Sequence, residues 1–284
     1  MRFILDRYVF LLVFLSMISY AQSVSYGSIE TIDFKSNFIE PRQIYIYKPT
    51  TAEPTSTTKV IFMHDGQHLF DASNTWNNQS WEVDETAERL AIDGVDNYIV
   101  IGIDNSKLRW NEYFPQDADD QNQFNGLYSN NYLKFIITEL KPFIQKRFLE
   151  ITDTSDYYMI GSSMGGLISL YGLLKYPNEF NGIAGLSTHW LGVTGENRHN
   201  NQAWLMLKSY LYLNIYSLAN KKIYFDRGTE TLDKQYELYQ NQVDQLINDY
   251  GEANYKSLIF QGHKHEELSW ASRLSIPVKF LIDF

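Results

Sequence analysis

Short apolar runs of strand length alternate along this chain with longer segments whose apolar positions recur every three or four residues. Lys59-Val60-Ile61-Phe62-Met63 and Tyr98-Ile99-Val100-Ile101-Gly102-Ile103 are almost wholly apolar, the pattern of strands buried on both faces of a sheet. Tyr157 to Ile160, Gly182 to Leu186, Lys222 to Phe225 and Tyr255 to Phe260 continue the series. Between these runs the spacing predicts helices over 80–92, 130–148, 232–250 and 270–284, and another directly after Ser163. Leu133, Ile136, Ile137, Leu140, Phe143 and Ile144 hold the helical period in the second of them, with Pro142 as an expected kink. Strands alternating with helices predict a mainly parallel sheet covered on both faces.

Ahead of that series, Gly27 to Phe34 and Gln43 to Tyr47 alternate in polarity around Asn37 and Pro41, which predicts a hairpin of edge strands. Residues 50–58 are rich in Thr, Pro and Ser, and 105–124 in Asp and Asn; both read as surface loops. Trp190 to Leu218 mixes aromatics, leucine and polar residues without a strand signal, and is the candidate cap or wall over a site. No repeat and no second-domain boundary is evident, so 22–284 reads as a single α/β domain, a size with ample interior for a core.

The first 21 residues have a different character. Arg2 and Arg7 precede an almost wholly apolar run from Tyr8 to Tyr20, and Ser19-Tyr20-Ala21 has the small-x-small form of a cleavage site. This predicts a signal peptide over 1–21 and an exported protein, periplasmic or extracellular. A retained anchor is the lesser reading, because the run is short for a membrane span. The chain contains no cysteine, which removes a lipid-modified cysteine anchor, disulfides and a cysteine nucleophile from consideration. Its formal charge of -10 argues against nucleic acid or an anionic membrane surface as partner.

The candidate chemistry centres on Gly161-Ser162-Ser163-Met164-Gly165, which follows an apolar strand and opens a helix-like segment. In that setting the Gly-x-Ser-x-Gly turn exposes the serine hydroxyl while the new helix directs its N-terminus toward it. A serine hydroxyl is a weak nucleophile and needs a base, which in turn needs an orienting acid. For this motif the chain order is serine, acid, histidine. His189, His199, His263 and His265 lie downstream. His265, in the loop between the last strand and the last helix, is the expected base, although spacing alone does not separate it from His263. His189 reads as a pocket wall and His199 as a solvated loop residue. The acid should follow the strand at Lys222. Asp226 reads as the cap of the Arg227-Gly228-Thr229 turn, while Glu230 and Asp233 both have the reach; Asp233 also suits a helix cap.

Several further motifs accompany these residues. They are Met63-His64-Asp65-Gly66-Gln67-His68-Leu69-Phe70-Asp71; Asn105 with Arg109, Glu112, Tyr113 and Pro115; Gly161 to Gly166 with Tyr176-Pro177; Asp226-Arg227-Gly228-Thr229; and Gly262-His263-Lys264-His265-Glu266-Glu267 with Trp270 and Arg273. Together they span nearly all of the chain after the leader, and the chain resembles the putative-esterase family of α/β-hydrolases (esterase D, feruloyl and enterochelin esterases). The resemblance implies an α/β-hydrolase fold with Ser163 as nucleophile and His265 as base, since an acidic residue and a tryptophan follow that histidine. It favours Asp233 as the acid by its distance from the histidine, although the family often carries its acid nearer the Gly-Thr pair, where Glu230 and Thr231 stand here. An oxyanion hole takes one backbone donor from the residue after the nucleophile and one from the turn after the third strand, which map to Met164 and Gln67.

The expected activity is hydrolysis of carboxylic esters, of a carbohydrate, a phenolic acid or a siderophore, through an acyl-enzyme. A non-catalytic binding protein on the same fold, or a serine peptidase, are the alternatives. No cofactor is implied. His64, Asp65 and His68 do not match a metal-ligand spacing, so no metal is expected. Trp76, Trp81, Trp190 and Trp204 read as core or wall before sugar platforms.

Overall fold

A computed structural model of the chain describes residues 22–119, 124–191 and 202–283. The predicted leader and His199 lie outside these residues. In chain order the strands are β1 (Ser28–Phe34), β2 (Arg42–Lys48), β3 (Lys59–His64), β4 (Tyr98–Ile103), β5 (Tyr157–Ser162), β6 (Gly182–Leu186), β7 (Lys222–Gly228) and β8 (Asn254–Phe260). The helices are α1 (Val83–Ile92), α2 (Arg109–Tyr113), α3 (Ser129–Phe135), α4 (Lys141–Arg147), α5 (Met164–Lys175), α6 (Gln202–Asn214), α7 (Glu237–Tyr250), α8 (Glu267–Ala271) and α9 (Ser275–Ile282).

The strands form one sheet in the order β1-β2-β4-β3-β5-β6-β7-β8. From β4 to β8 every pairing is parallel, and β2 runs antiparallel to both β1 and β4. Every residue of β3, β4, β5 and β6 is buried, as their unbroken apolar runs predict for strands covered on both faces. One face packs under α3 to α7, the other under α1 and α9. Because β4 lies on one side of β3 and β5 on the other, the order reverses at β3. The loops leaving the carboxyl ends of β3, β4 and β5 part there and leave a crevice, the usual place for a ligand in such a sheet.

The predicted elements recur with informative differences. β1 is an edge strand, but β2 is interior, because the hairpin is hydrogen-bonded into the sheet through β4. The polar stretch after β4 contains α2, whose Glu112 and Tyr113 are buried. Glu112 receives both terminal nitrogens of Arg42, at 2.7 and 3.0 Å. A buried carboxylate held by a bidentate guanidinium satisfies its own burial, so a segment polar in composition still reaches the core. The long helix of 130–148 is divided by a π-helical turn, Ile136–Leu140, directly before Pro142. Proline has no N–H for the ladder and crowds the preceding turn, so the helix widens there. The closing helix is two, α8 and α9, and the helix at 232–250 begins as a 3₁₀ turn, Thr231–Tyr236.

Trp190 to Leu218 was the expected cap. In its described part, α6 lays Trp204, Leu207 and Leu211 toward Leu167, Leu170 and Leu174 of α5. It therefore thickens one helical layer, while residues 192–201 lie outside the described residues. Among the described residues, no helix is long and apolar enough to cross a membrane.

Gly161 shows how tightly the serine turn is built. A Cβ there would stand 2.5 Å from the carbonyl carbon of Gly165, and the backbone of α5 has nowhere to move. Gly161→Ala is expected to lower stability by ~1–3 kcal/mol through overpacking, read as a fall in thermal midpoint; an unchanged midpoint would show the turn to be looser than its spacing.

Candidate functional site

Loops after six strands, β3 to β8, meet at the carboxyl edge of the sheet. The turn after β5 brings Ser163 there with φ 55° and ψ -121°, a conformation that costs a non-glycine residue strain and that surrounding structure must enforce. β6 enforces it. Ser163 N–H donates to Leu186 O at 2.9 Å, and Ser163 O accepts from His189 N at 3.1 Å. Met164 follows as the first residue of α5, where backbone N–H groups have no partner within the helix.

After β7 and β8 come the candidate acid and base. Asp233 is completely buried, and its Oδ1 lies 2.6 Å from His265 Nδ1. An ionised carboxylate only accepts, so Nδ1 carries the proton and Nε2 is left as a proton acceptor. Asp233 Oδ2 accepts from Gly228 N–H at 2.6 Å and from the Ser187 hydroxyl at 2.5 Å. Burial acts to raise the Asp233 carboxyl, but the hydrogen bonds from His265, Ser187 and Gly228 outweigh it and hold it below the usual range. The indole of Trp270 meets the His265 ring edge-on at 5.1 Å, and Tyr236 meets it at 5.7 Å. These contacts leave the imidazole little freedom to turn.

The competing residues lie elsewhere. The His263 ring is 3.3 Å from Arg273 Nη1, and its carbonyl accepts from the N–H groups of Thr229 and Glu230. Glu230 is exposed, and what joins it to this loop is its backbone. A Cβ at Gly228 would come within 2.1 Å of His263 O, so glycine is what lets the two loops close. Asp226 does not cap the Arg227 turn as its position suggested. It is buried beside Arg273 at 3.0 Å and accepts from Tyr224 OH at 2.9 Å. Burial pushes its carboxyl up to about 6, against the pull of Arg273. His189, read from the sequence as a pocket wall, is buried, and its Nδ1 bonds the Tyr236 hydroxyl.

The turn after β3 supplies the remaining candidate donor. Asp65 has φ 59° and ψ 46°, and its carboxylate is clamped by Arg109 Nε and Nη2, at 2.6 and 2.8 Å, and by Asn105 Nδ2 at 2.6 Å. Asn105 N–H donates to Gln67 Oε1 at 3.2 Å, and Gln22 Nε2 donates to Gln67 O at 3.0 Å. Gln67 is thus held by two hydrogen bonds in a 3₁₀ turn, Gly66–His68. His64, just before, is fully buried and bonds Tyr132 OH through Nδ1 at 2.7 Å. Burial pushes its imidazole down to about 4. Among the described residues, no group of three or more His, Asp or Glu could hold a metal ion.

Ser163, Gln67 and His265 line one cleft of about 480 Å³, with Asp65, His68, Trp76, Asn105, Arg109, Glu267 and Trp270 among its other walls. Trp76 is 82% exposed at its rim. The Trp81 ring packs at a tilt against Trp270, with centroids 5.5 Å apart. Trp190 and Trp204 are core residues on the α5 side. Ser187 and Gln22, which brace this region, carry no motif in the sequence.

The family model described as "Putative esterase" matches residues 36–276. The chain belongs to that family. It is 27% identical over 164 residues to the uncharacterized protein YbbA of Bacillus subtilis, covering 56% of this chain and 61% of that one. YjcH of the same organism is also 27% identical, over 53% and 57% of the two chains. The chain thus spans about three fifths of the length of these curated relatives. Among solved structures, the enterobactin esterase FES from Shigella flexneri superposes with a TM-score of 0.68 at 18% identity, over 92% of this chain and 60% of that one. The BES protein from Bacillus cereus gives 0.68 at 20% identity, over 95% and 100%. A ferulic acid esterase gives 0.64 at 16%, over 91% and 98%. The fold is the α/β-hydrolase fold of these esterases.

His64 yields a pH prediction. Its folded form stays neutral down to about 4, whereas in the unfolded chain it takes a proton below about 6.5. Its contribution is therefore present above pH 6.5 and is lost as pH falls toward 4. In His64→Gln, urea midpoints should lose ~3 kcal/mol of pH dependence across that window. An unaltered slope would assign the dependence to other groups.

Proposed function

We propose that this esterase-family chain hydrolyses carboxylic esters with Ser163 as nucleophile, His265 as general base and Asp233 as the acid that orients it. The supporting observation is the 2.6 Å bond from His265 Nδ1 to Asp233, made at a cleft that Ser163 also lines from its strained turn. His265 Nε2 would take the serine proton as the oxygen attacks the ester carbonyl. The tetrahedral oxyanion would be met by the N–H groups of Met164 and Gln67. The same imidazolium would then protonate the leaving alcohol, and water would repeat the sequence on the acyl-serine.

We assign the substrate to small esters of a carbohydrate, phenolic acid or siderophore type. Support comes from the exposed Trp76 face and Arg109 within the cleft, and from solved neighbours that include an enterobactin esterase and a ferulic acid esterase. We take residues 1–21 as an export signal and 22–284 as the working domain.

The test is a purified 22–284 protein assayed on acetyl, feruloyl and long-chain aryl esters. Ser163→Ala and His265→Ala should each lower kcat/KM by at least ~10⁴-fold, since serine and base act as one unit. His263→Ala should stay within a few-fold of the parent. Full activity of Ser163→Ala, with unchanged circular dichroism, would overturn the reading.

The acid is tested separately. Asp233→Asn should lower kcat by about 10⁴-fold with little change in KM, because asparagine stabilises the wrong tautomer of the histidine. Glu230→Gln should leave turnover within two-fold. The opposite outcome moves the acid to Glu230.

A further inference from the structure

Behind the Asp233–His265 pair lies a second set of buried polar groups that the proposed reaction does not use. Ser187, just after β6, has φ 50° and is fully buried. Its N–H is tied to Asp226 O at 2.7 Å, which fixes the left-handed turn. Three groups surround its hydroxyl oxygen. Arg273 Nη2 is 2.8 Å away, Trp270 Nε1 3.0 Å, and Asp233 Oδ2 2.5 Å.

The chemistry of these groups leaves one arrangement. A guanidinium and an indole N–H can only donate, and together they occupy both lone pairs of the serine oxygen. A carboxylate can only accept. The single hydroxyl proton of Ser187 must therefore point at Asp233 Oδ2. Arg273 stands 3.9 Å from that same oxygen, so its charge reaches Asp233 chiefly through the serine it polarises. Asp226 holds the other side of the same guanidinium nitrogen at 3.0 Å.

We infer that Ser187 and Arg273 are positioning residues that set how strongly Asp233 holds the His265 proton, with Asp226 as the opposing charge that moderates Arg273. The inference rests on the reading of Asp233 and His265 as acid and base. By donating to Oδ2, Ser187 withdraws electron density from the carboxylate and limits its pull through Oδ1. Removing the donor makes the carboxylate more basic, strengthens its hold on the imidazole proton and favours the imidazolium. Removing the charge of Asp226 does the reverse, since an unmoderated Arg273 disfavours a second positive charge nearby. The Ser187 hydrogen bond is one of the interactions that hold the Asp233 carboxyl below its usual range against burial.

The other titratable neighbours are few. His263 meets Arg273 from the loop after β8, Tyr224 bonds Asp226 from β7, and Tyr236 packs on the His265 ring. Glu267 of α8 lines the cleft with His265, with Asp65 and Arg109 across it. Arg227 is paired at 3.1 Å with Glu237. Neither variant below changes any of these side chains.

Two measurements test the inference on Ser187→Ala and Asp226→Asn in the 22–284 protein. The first is the acid limb of the kcat/KM profile. Losing a hydrogen bond to a charged group is expected to move it up by about one pH unit in Ser187→Ala, with roughly ten-fold lower kcat/KM at pH values below the parent's limb midpoint. In Asp226→Asn the limb moves down. The second needs no turnover: the proton resonance of His265 Nδ1–H moves further downfield in Ser187→Ala and upfield in Asp226→Asn. A purely structural role would lower the thermal midpoint and leave limb and resonance in place, and that result overturns the inference. If Ser187→Ala does not fold, the sign in Asp226→Asn decides. If the parent hydrolyses no ester, the proposed function fails and the resonance alone decides.

Discussion

A carboxylate with no exposure to water must find all its hydrogen bonds inside the protein, and Asp233 sets that requirement at the centre of this molecule. Its oxygens draw in His265 from the loop after β8, Gly228 from the end of β7 and Ser187 from the end of β6. Ser187 in turn engages Trp270 and Arg273 from the α8–α9 region. One buried charge therefore stitches three strand ends and the last helices together. Leaving any of these donors out would strand a charge or a donor in a dry interior, at a cost of the order of 1–3 kcal/mol each. This is why the acid of the proposed triad is also a keystone of the fold at that edge.

A comparable logic operates across the cleft. Asp65 adopts a left-handed conformation at the end of β3, held by Arg109 and Asn105 from the segment after β4. Ser163 adopts its own positive φ because β6 takes up its N–H and C=O. Neither turn is stable by local preference. Each is held by a neighbouring strand or the segment that follows one, so the parallel order β4-β3-β5-β6 is a condition for the geometry and not a passive scaffold. The proposed oxyanion donors, Gln67 and Met164, sit on these two enforced turns.

The electrostatics of the site follow from burial. His64, Asp65, Asp226 and Asp233 are all buried within a few residues of the cleft, yet they respond differently. His64 is pushed down by burial, which outweighs the nearby Asp65 carboxylate, and its ring bonds the Tyr132 hydroxyl. Asp65 and Asp233 are held down by their donors against burial, while burial pushes Asp226 up to about 6 in spite of the pull of Arg273. Groups alike in sequence diverge because the partners brought to them differ.

Much of this was legible in the chain itself. The unbroken apolar runs of β3 to β6 marked a doubly covered parallel sheet, because burial on both faces leaves no room for alternation. Gly161-x-Ser163-x-Gly165 between such a run and a helical period identified the turn, since only small residues let the backbone of α5 approach within the observed distance. What the sequence did not carry was everything decided by pairing at a distance. Spacing alone did not separate His265 from His263 or Asp233 from Glu230, and only the resemblance favoured His265 and Asp233; the contact between the two side chains depends on how the loops after β7 and β8 fold against each other. Asp226 reads locally as a turn cap and becomes a buried partner of Arg273 because residues 47 positions apart are brought to 3.0 Å. Ser187 has no signature at all. Its role exists because three buried groups converge on one hydroxyl, and convergence is a property of tertiary structure alone.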